Sequence, residues 1–125
     1  MKHTLDKQEK YTLVNTDEEK LDATVSSELK SLFVALGGED EKNIIMDLNS
    51  VKYIDSSGLS AMLIANRICN EKNGTFVLVN PGEHVMKLIR ISQLEQVLNI
   101  LPTVEEAVDL VYMNDLEQDL GSEEE

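Results

Sequence analysis

The sequence predicts an α/β fold of one small domain, a mixed but mostly parallel sheet with helices packed on it, and three observations carry that prediction. A chain of 125 residues has room for a single hydrophobic core and not for two. Two apolar runs of strand length, "NIIMDLN" and "TFVLV", flank a helix-length segment from Ser57 to about Lys72 that closes at Asn73-Gly74; strand, helix, strand in that order implies parallel pairing through a right-handed crossover. After them come a short helix pattern, a short strand pattern and a last helix pattern, so the alternation continues to the end of the folded chain.

The elements follow in order. Around Tyr11 and Leu13, "HTLDKQEKYTLVNT" alternates as a half-buried strand does, giving an amino-terminal hairpin or edge strand. In "DATVSSELKSLFVAL", Val25, Leu29, Leu32 and Leu36 recur at spacings of four, three and four before Gly37-Gly38, an amphipathic helix with a glycine stop. "NIIMDLN" is a buried strand, and "VKYI" continues or bends it. "TFVLV", Thr75 to Val79, is a second buried strand rich in branched and aromatic residues. After Pro81-Gly82, "EHVMKLIRI" reads as a short helix and "VLNIL" as a short strand, while Thr103 and Glu106 form a capping box for "VEEAVDLVYM".

Charge narrows the function classes. Against 11 Lys and Arg stand 24 Asp and Glu, a formal net charge of -13, which repels nucleic acid and anionic lipid. Neither nucleic acid nor a membrane is an expected partner, and no apolar run approaches the roughly 20 residues needed to span a bilayer. The single cysteine, Cys69, makes no internal bridge, and with no secretory leader pattern at the amino end a cytoplasmic location is expected. Residues 1–113 are expected to fold as the domain. Residues 114–125, "NDLEQDLGSEEE", carry acids and no base and are expected to form a solvated, disordered tail or an acidic interaction segment.

The segment "VKYIDSSGLSAML", residues 51 to 63, holds the chemistry. "DSSG" falls where a strand ends and the central helix begins. Asp or Ser there accepts hydrogen bonds from helix N–H groups that have no intrahelical partner, and one cap is enough. Asp55, Ser56 and Ser57 exceed that need, and Gly58 lets another group approach the backbone. Two readings stand: a cap and turn, or a site for a phosphate, bound or covalently attached, at the positive end of the helix.

"MDLNSVKYIDSSGLSAML" resembles the core motif of the STAS domain, and in particular of bacterial anti-sigma factor antagonists. "KLDA" at Lys20 to Ala23 is similar to the family's turn before its first helix, and "GTFVLVNPGEHVMKLIRISQLEQVLNILPTVEEAV" follows its closing half. Glu19 and Ser60 stand where the family commonly has glycine. The resemblance implies a protein switch with no catalysis and no cofactor of its own. Unmodified, such a protein binds an anti-sigma factor that is also a serine kinase, and so frees the sigma factor. Phosphorylation at the second serine, here Ser57, switches that binding off, and a phosphoserine phosphatase restores it. Asp55 and Asp22 also come into the site by resemblance, with Ser56 and Gly58 shaping the turn.

A helical wheel of the central helix places Ala61, Met62, Ala65, Ile68 and Cys69 toward the sheet and Leu59 and Leu63 on the opposite side. The two leucines either form an apolar docking surface beside Ser57 or lie under a neighbouring loop or helix. On this wheel Cys69 is a core residue rather than a reactive thiol. Serine hydrolysis lacks the Gly-x-Ser-x-Gly turn, and only His3 and His84 are available as bases. The chain has no phosphate loop, no dinucleotide fingerprint and no paired His or Cys at metal spacing. The alternative to the sigma switch is a STAS-type structural subunit of a membrane transport complex, and the DSSG serine argues against it.

Overall fold

A computed structural model describes the backbone of residues 1–124 and the side chains of residues 1–120. The chain enters as an antiparallel hairpin of β1 (His3–Lys7) and β2 (Thr12–Thr16), with Leu5 opposite Val14. β3 (Lys20–Leu21) leads through Asp22 into α1 (Ala23–Gly38). β4 (Ile44–Asp47) returns to the sheet, β5 (Tyr53–Ile54) leaves it, and α2 (Ser56–Glu71) crosses back over it to β6 (Phe76–Val79). The chain then runs through α3 (Glu83–Ile91), β7 (Asn99–Leu101) and α4 (Val104–Glu124). The main sheet has the order β1-β2-β4-β6-β7, antiparallel only at the hairpin, while β3 and β5 pair parallel as a separate two-stranded unit. The α/β prediction therefore holds, and "VKYI" neither extends nor bends β4: it builds the second sheet.

The sheet has a helix layer on each face, and the two layers have separate cores. One core joins β4 and β6 residues such as Met46, Phe76 and Leu78 to Leu29, Phe33, Met62, Ala65 and Cys69 of α1 and α2, and to Val85 and Ile89 of α3. Phe33 and Phe76 meet edge-on with centroids 5.6 Å apart, a geometry worth about 0.5–1.5 kcal/mol beyond area burial. The spacing in α1 finds Leu29 and Leu36 but misses Phe33, which is buried while Val25 and Leu32 are only partly covered. The opposite core holds Ile45, Val77 and Val79 against Ala107 and Val111 of α4. Alternation along β4 and β6 thus sends consecutive residues to opposite layers.

α2 stops where expected. Asn73 takes the left-handed conformation (φ 60°), and Gly74 follows because a side chain there would overlap the Lys42 carbonyl. At the far end the structure departs from expectation, since α4 does not end near Met113. It continues through 114–124 because two polar residues there are anchored. Asn43, buried before β4, uses its amide to accept from the Thr75 N–H (2.8 Å) and donate to the Lys10 carbonyl (2.8 Å) and the Asp115 carboxylate (3.3 Å). Lys42 lies 3.3 Å from the same carboxylate, and the Asn114 amide donates to the Thr75 hydroxyl at 3.0 Å. The boundary expected at residue 113 falls inside this helix, whose further residues, Leu, Glu and Gln among them, are good helix formers. Glu125 and the side chains beyond Leu120, the last part of the expected acidic tail, lie outside the described residues.

Candidate functional site

The two-stranded sheet builds the site. Because Leu21 is in register with Ile54, the residues that follow them, Asp22 and Asp55, leave side by side and start α1 and α2. Both are extended N-caps with nearly the same backbone angles, φ -119° and ψ -168° at Asp22, φ -113° and ψ -173° at Asp55. The Asp55 N–H donates to the Leu21 carbonyl at 3.2 Å and ties the loops together.

Each aspartate serves its own helix. Asp55 Oδ1 accepts from the Ser57 N–H (2.9 Å), the Gly58 N–H (3.2 Å) and the Ser57 hydroxyl (2.5 Å). Asp22 Oδ1 accepts from the Thr24 N–H (3.0 Å) and the Thr24 hydroxyl (2.5 Å). Hydrogen bonds to the ionised form favour it. The Ser57 hydroxyl holds the Asp55 carboxyl below the usual carboxylate range, helped by the Gly58 and Ser57 N–H groups. The Thr24 hydroxyl and N–H do the same for Asp22, against an opposing push from the Asp55 charge. Two neighbouring carboxylates, both ionised at neutral pH, therefore each hold the hydroxyl of their own helix start, Asp55 that of the half-buried Ser57 and Asp22 that of Thr24.

The predicted residues separate into two groups. Asp22, Asp55, Ser56, Ser57 and Gly58 come together at the paired helix starts, with Ser56 exposed and Ser57 half-buried. Gly58 is packed inside: a Cβ there would run into the Leu21 carbonyl and lie 2.7 Å from Ile54 Cγ1. The close approach that this glycine permits is thus made by the chain's own β3. Leu59 does not reach the surface. It is 5% exposed and joins the cluster of Val85, Ile89 and Leu98, and Leu63 is partly covered by the same core. Of the two readings of this side, an apolar docking surface or cover by a neighbouring element, Leu59 takes the second, so it is not the exposed partner contact the docking reading required. Asn66 on the same side of α2 is buried and donates to the Val97 carbonyl at 3.4 Å, which brings the turn after α3 over α2.

Two features escaped the sequence reading. Thr24 repeats at α1 the hydroxyl-to-aspartate contact of Ser57, and the Asp-x-Ser/Thr spacing shared by "DAT" and "DSS" is the signal that could have found it. Tyr53, exposed in β5 two residues before Asp55, stacks on His84 of α3 with ring centroids 5.2 Å apart and tilted by 57°. A groove of about 560 Å³ opens beside Asp22, with Asp17, Glu18 and Glu19 outnumbering Lys2 and Lys20 in its lining, a poor place for an anionic small molecule. Among the described residues no group of three His, Cys, Asp or Glu is placed to hold a metal, and no helix is long and apolar enough to cross a membrane.

Comparison with known proteins agrees with this fold. A Thermotoga neapolitana protein provisionally named an anti-sigma factor antagonist is 31% identical over 68 residues, which span 54% of this chain and 60% of the relative. An anti-sigma-factor antagonist (STAS) domain protein from Planctomyces limnophilus superposes with a TM-score of 0.80 at 17% identity, covering 88% of this chain and 97% of the other. The Bacillus cell fate determinant SpoIIAA in its phosphorylated form superposes with a TM-score of 0.68 at 21% identity, covering 88% and 99%. The family model for the STAS domain matches residues 4–107, from the hairpin to the first turn of α4, and the chain belongs to that family.

Proposed function

We propose that the chain is an anti-sigma factor antagonist switched by phosphorylation of Ser57. The observation that carries this reading is the half-buried Ser57 hydroxyl, donating to an ionised Asp55 at the start of α2 with the α1 start beside it. Unmodified, the surface around Asp22, Asp55, Ser56 and Ser57 binds an anti-sigma factor with serine kinase activity, and the sigma factor is released. The kinase then transfers a phosphoryl group: Ser57 Oγ bonds to the γ-phosphorus of ATP, the bond to ADP breaks, and the hydroxyl proton is given up. A phosphoserine phosphatase resets the switch. The relatives named as anti-sigma factor antagonists and the phosphorylated form of SpoIIAA support this reading.

Release does not require unfolding. Phosphate adds about -1.5 to -2 charges and considerable volume to the contact surface, and a hundredfold loss of affinity takes only about 2.7 kcal/mol. Leu59 makes no direct contact on this reading, because it is buried; partly covered Leu63 contributes at the edge. Incubation with candidate anti-sigma kinases and ATP, followed by mass spectrometry, tests the assignment. Ser57→Ala is expected to abolish the modification and Ser56→Ala to retain it. Phosphate mapped to Ser56 would overturn it.

A further inference from the structure

From Tyr112 to Leu120 the outer side of α4 is apolar. Tyr112, Met113, Leu116 and Leu120 are 47, 56, 56 and 51% exposed. At about 100° per residue they fall within one arc of roughly 100°, away from the side that buries Ala107 and Val111. This is a continuous stripe over more than two turns, the pattern of a helix face that pairs with another helix. Scattered single apolar residues would need no explanation.

The charge around the stripe selects its occupant. From Val104 to Leu120 the helix carries Glu105, Glu106, Asp109, Asp115, Glu117 and Asp119 and no base. On the wheel, Asp119 borders the stripe on one side and Glu117 on the other. The nearest lysines, Lys10 and Lys42, share a groove with five carboxylates, two of them Asp115 and Asp119. A second copy of the chain would set acid against acid along the whole contact, and an anionic lipid surface would be repelled in the same way. We infer that this stripe docks a cationic amphipathic helix of a protein partner, its apolar residues against Tyr112, Met113, Leu116 and Leu120 and its lysines or arginines against the flanking carboxylates.

The surface belongs to the opposite layer of the sheet from Ser57, since α4 packs in one core and α1 and α2 in the other. The two sites are therefore independent, and this inference does not rest on the proposed switch. The test uses the full chain and a labelled synthetic peptide of about eighteen residues, built from leucine and lysine with the leucines on one helical face, followed by fluorescence anisotropy. A peptide of the same composition in permuted order separates shape from charge. Expected results are binding that weakens with salt, at least about tenfold weaker binding of the permuted peptide, a similar loss in the double variant Leu116→Gln, Leu120→Gln, and no change in Ser57→Asp. Equal binding of the two peptides, or an unchanged double variant, would overturn the inference. So would sedimentation showing a dimer at neutral pH that the double variant abolishes, because the stripe would then belong to a second copy.

Discussion

Replacing Gly58 with alanine tests whether the two helix starts are held together by close backbone packing. The added Cβ would overlap the Leu21 carbonyl and come within 2.7 Å of Ile54 Cγ1 and 3.2 Å of Ile54 Cδ1. Ile54 can turn aside, but the carbonyl cannot, because Leu21 is paired with Ile54 and accepts from the Asp55 N–H. Relief therefore means moving β3 away from α2, an overpacking cost of about 1–3 kcal/mol. Alanine's helix preference returns about 1 kcal/mol, leaving a net loss of up to about 2 kcal/mol, or up to about 10 °C in Tm for a chain of this size. Gly38→Ala is the control: nothing lies within 4 Å of its Cβ position and its φ is not positive, so that variant should be neutral or gain about 0.4–1 kcal/mol. Urea titration of both variants beside the wild type measures the difference. A Gly58→Ala protein as stable as Gly38→Ala would refute the packing argument. If only Gly58→Ala also slows phosphorylation of Ser57, the alignment of the loops is part of kinase recognition.

Asn43→Ala should cost about 2–3 kcal/mol in chemical denaturation, because the Lys10 carbonyl loses a buried donor and the Asp115 carboxylate loses part of its anchorage. Deleting residues 116 to 125 should leave stability within roughly 0.5 kcal/mol, since the described side chains it removes are exposed. Deleting from Asn114 onward should lower the Tm measurably, because Asn114 and Asp115 hold Thr75, Asn43 and Lys42. Burial pushes the Cys69 thiol up to about 12, so thiol reagents at pH 8 should label it only after denaturant is added. A raised folded-state value means that the contribution to stability is present below the unfolded thiol's range and is lost as pH rises toward 12, and Cys69→Ala should flatten that part of the alkaline unfolding profile.

Local signals were legible in the sequence and contacts between distant segments were not. Alternation and helical spacing located both central strands and all four helices, and "DSSG" marked the start of α2, because a cap and a turn are decided within a few residues. β3 was invisible: two residues, "KL", have no periodicity, and their pairing partner lies more than thirty positions away. The same limit hid the burial of Leu59. A wheel ranks the sides of one helix and carries no information about other elements, such as the turn after α3 that Asn66 reaches, or the core cluster that Leu59 shares with Val85 and Ile89. Composition misled at Asn114 for a related reason. An acidic run with two leucines reads as solvated chain, while the residues that keep it helical, Asn43, Lys42 and Thr75, belong to other elements.

Seen through these contacts, a phosphate on Ser57 acts on one hydrogen bond before it acts on the helix. The unmodified hydroxyl donates to Asp55, and a phosphorylated oxygen has no proton to donate. The phosphate instead competes with the Asp55 carboxylate for the Ser57 and Gly58 N–H groups, which that carboxylate now holds. Helix starts favour negative charge, but here the place is already taken by Asp55, with Asp22 beside it. The favourable and unfavourable terms oppose each other at the same few atoms, so the rearrangement is confined to the Asp55 turn. The body of α2 remains fixed by Met62, Ala65 and Cys69 in the core. On the proposed function, what the partner meets after phosphorylation is the same fold with a different first turn: a neutral hydroxyl held by the capping carboxylate of Asp55 has become a phosphate beside that carboxylate and its neighbour Asp22.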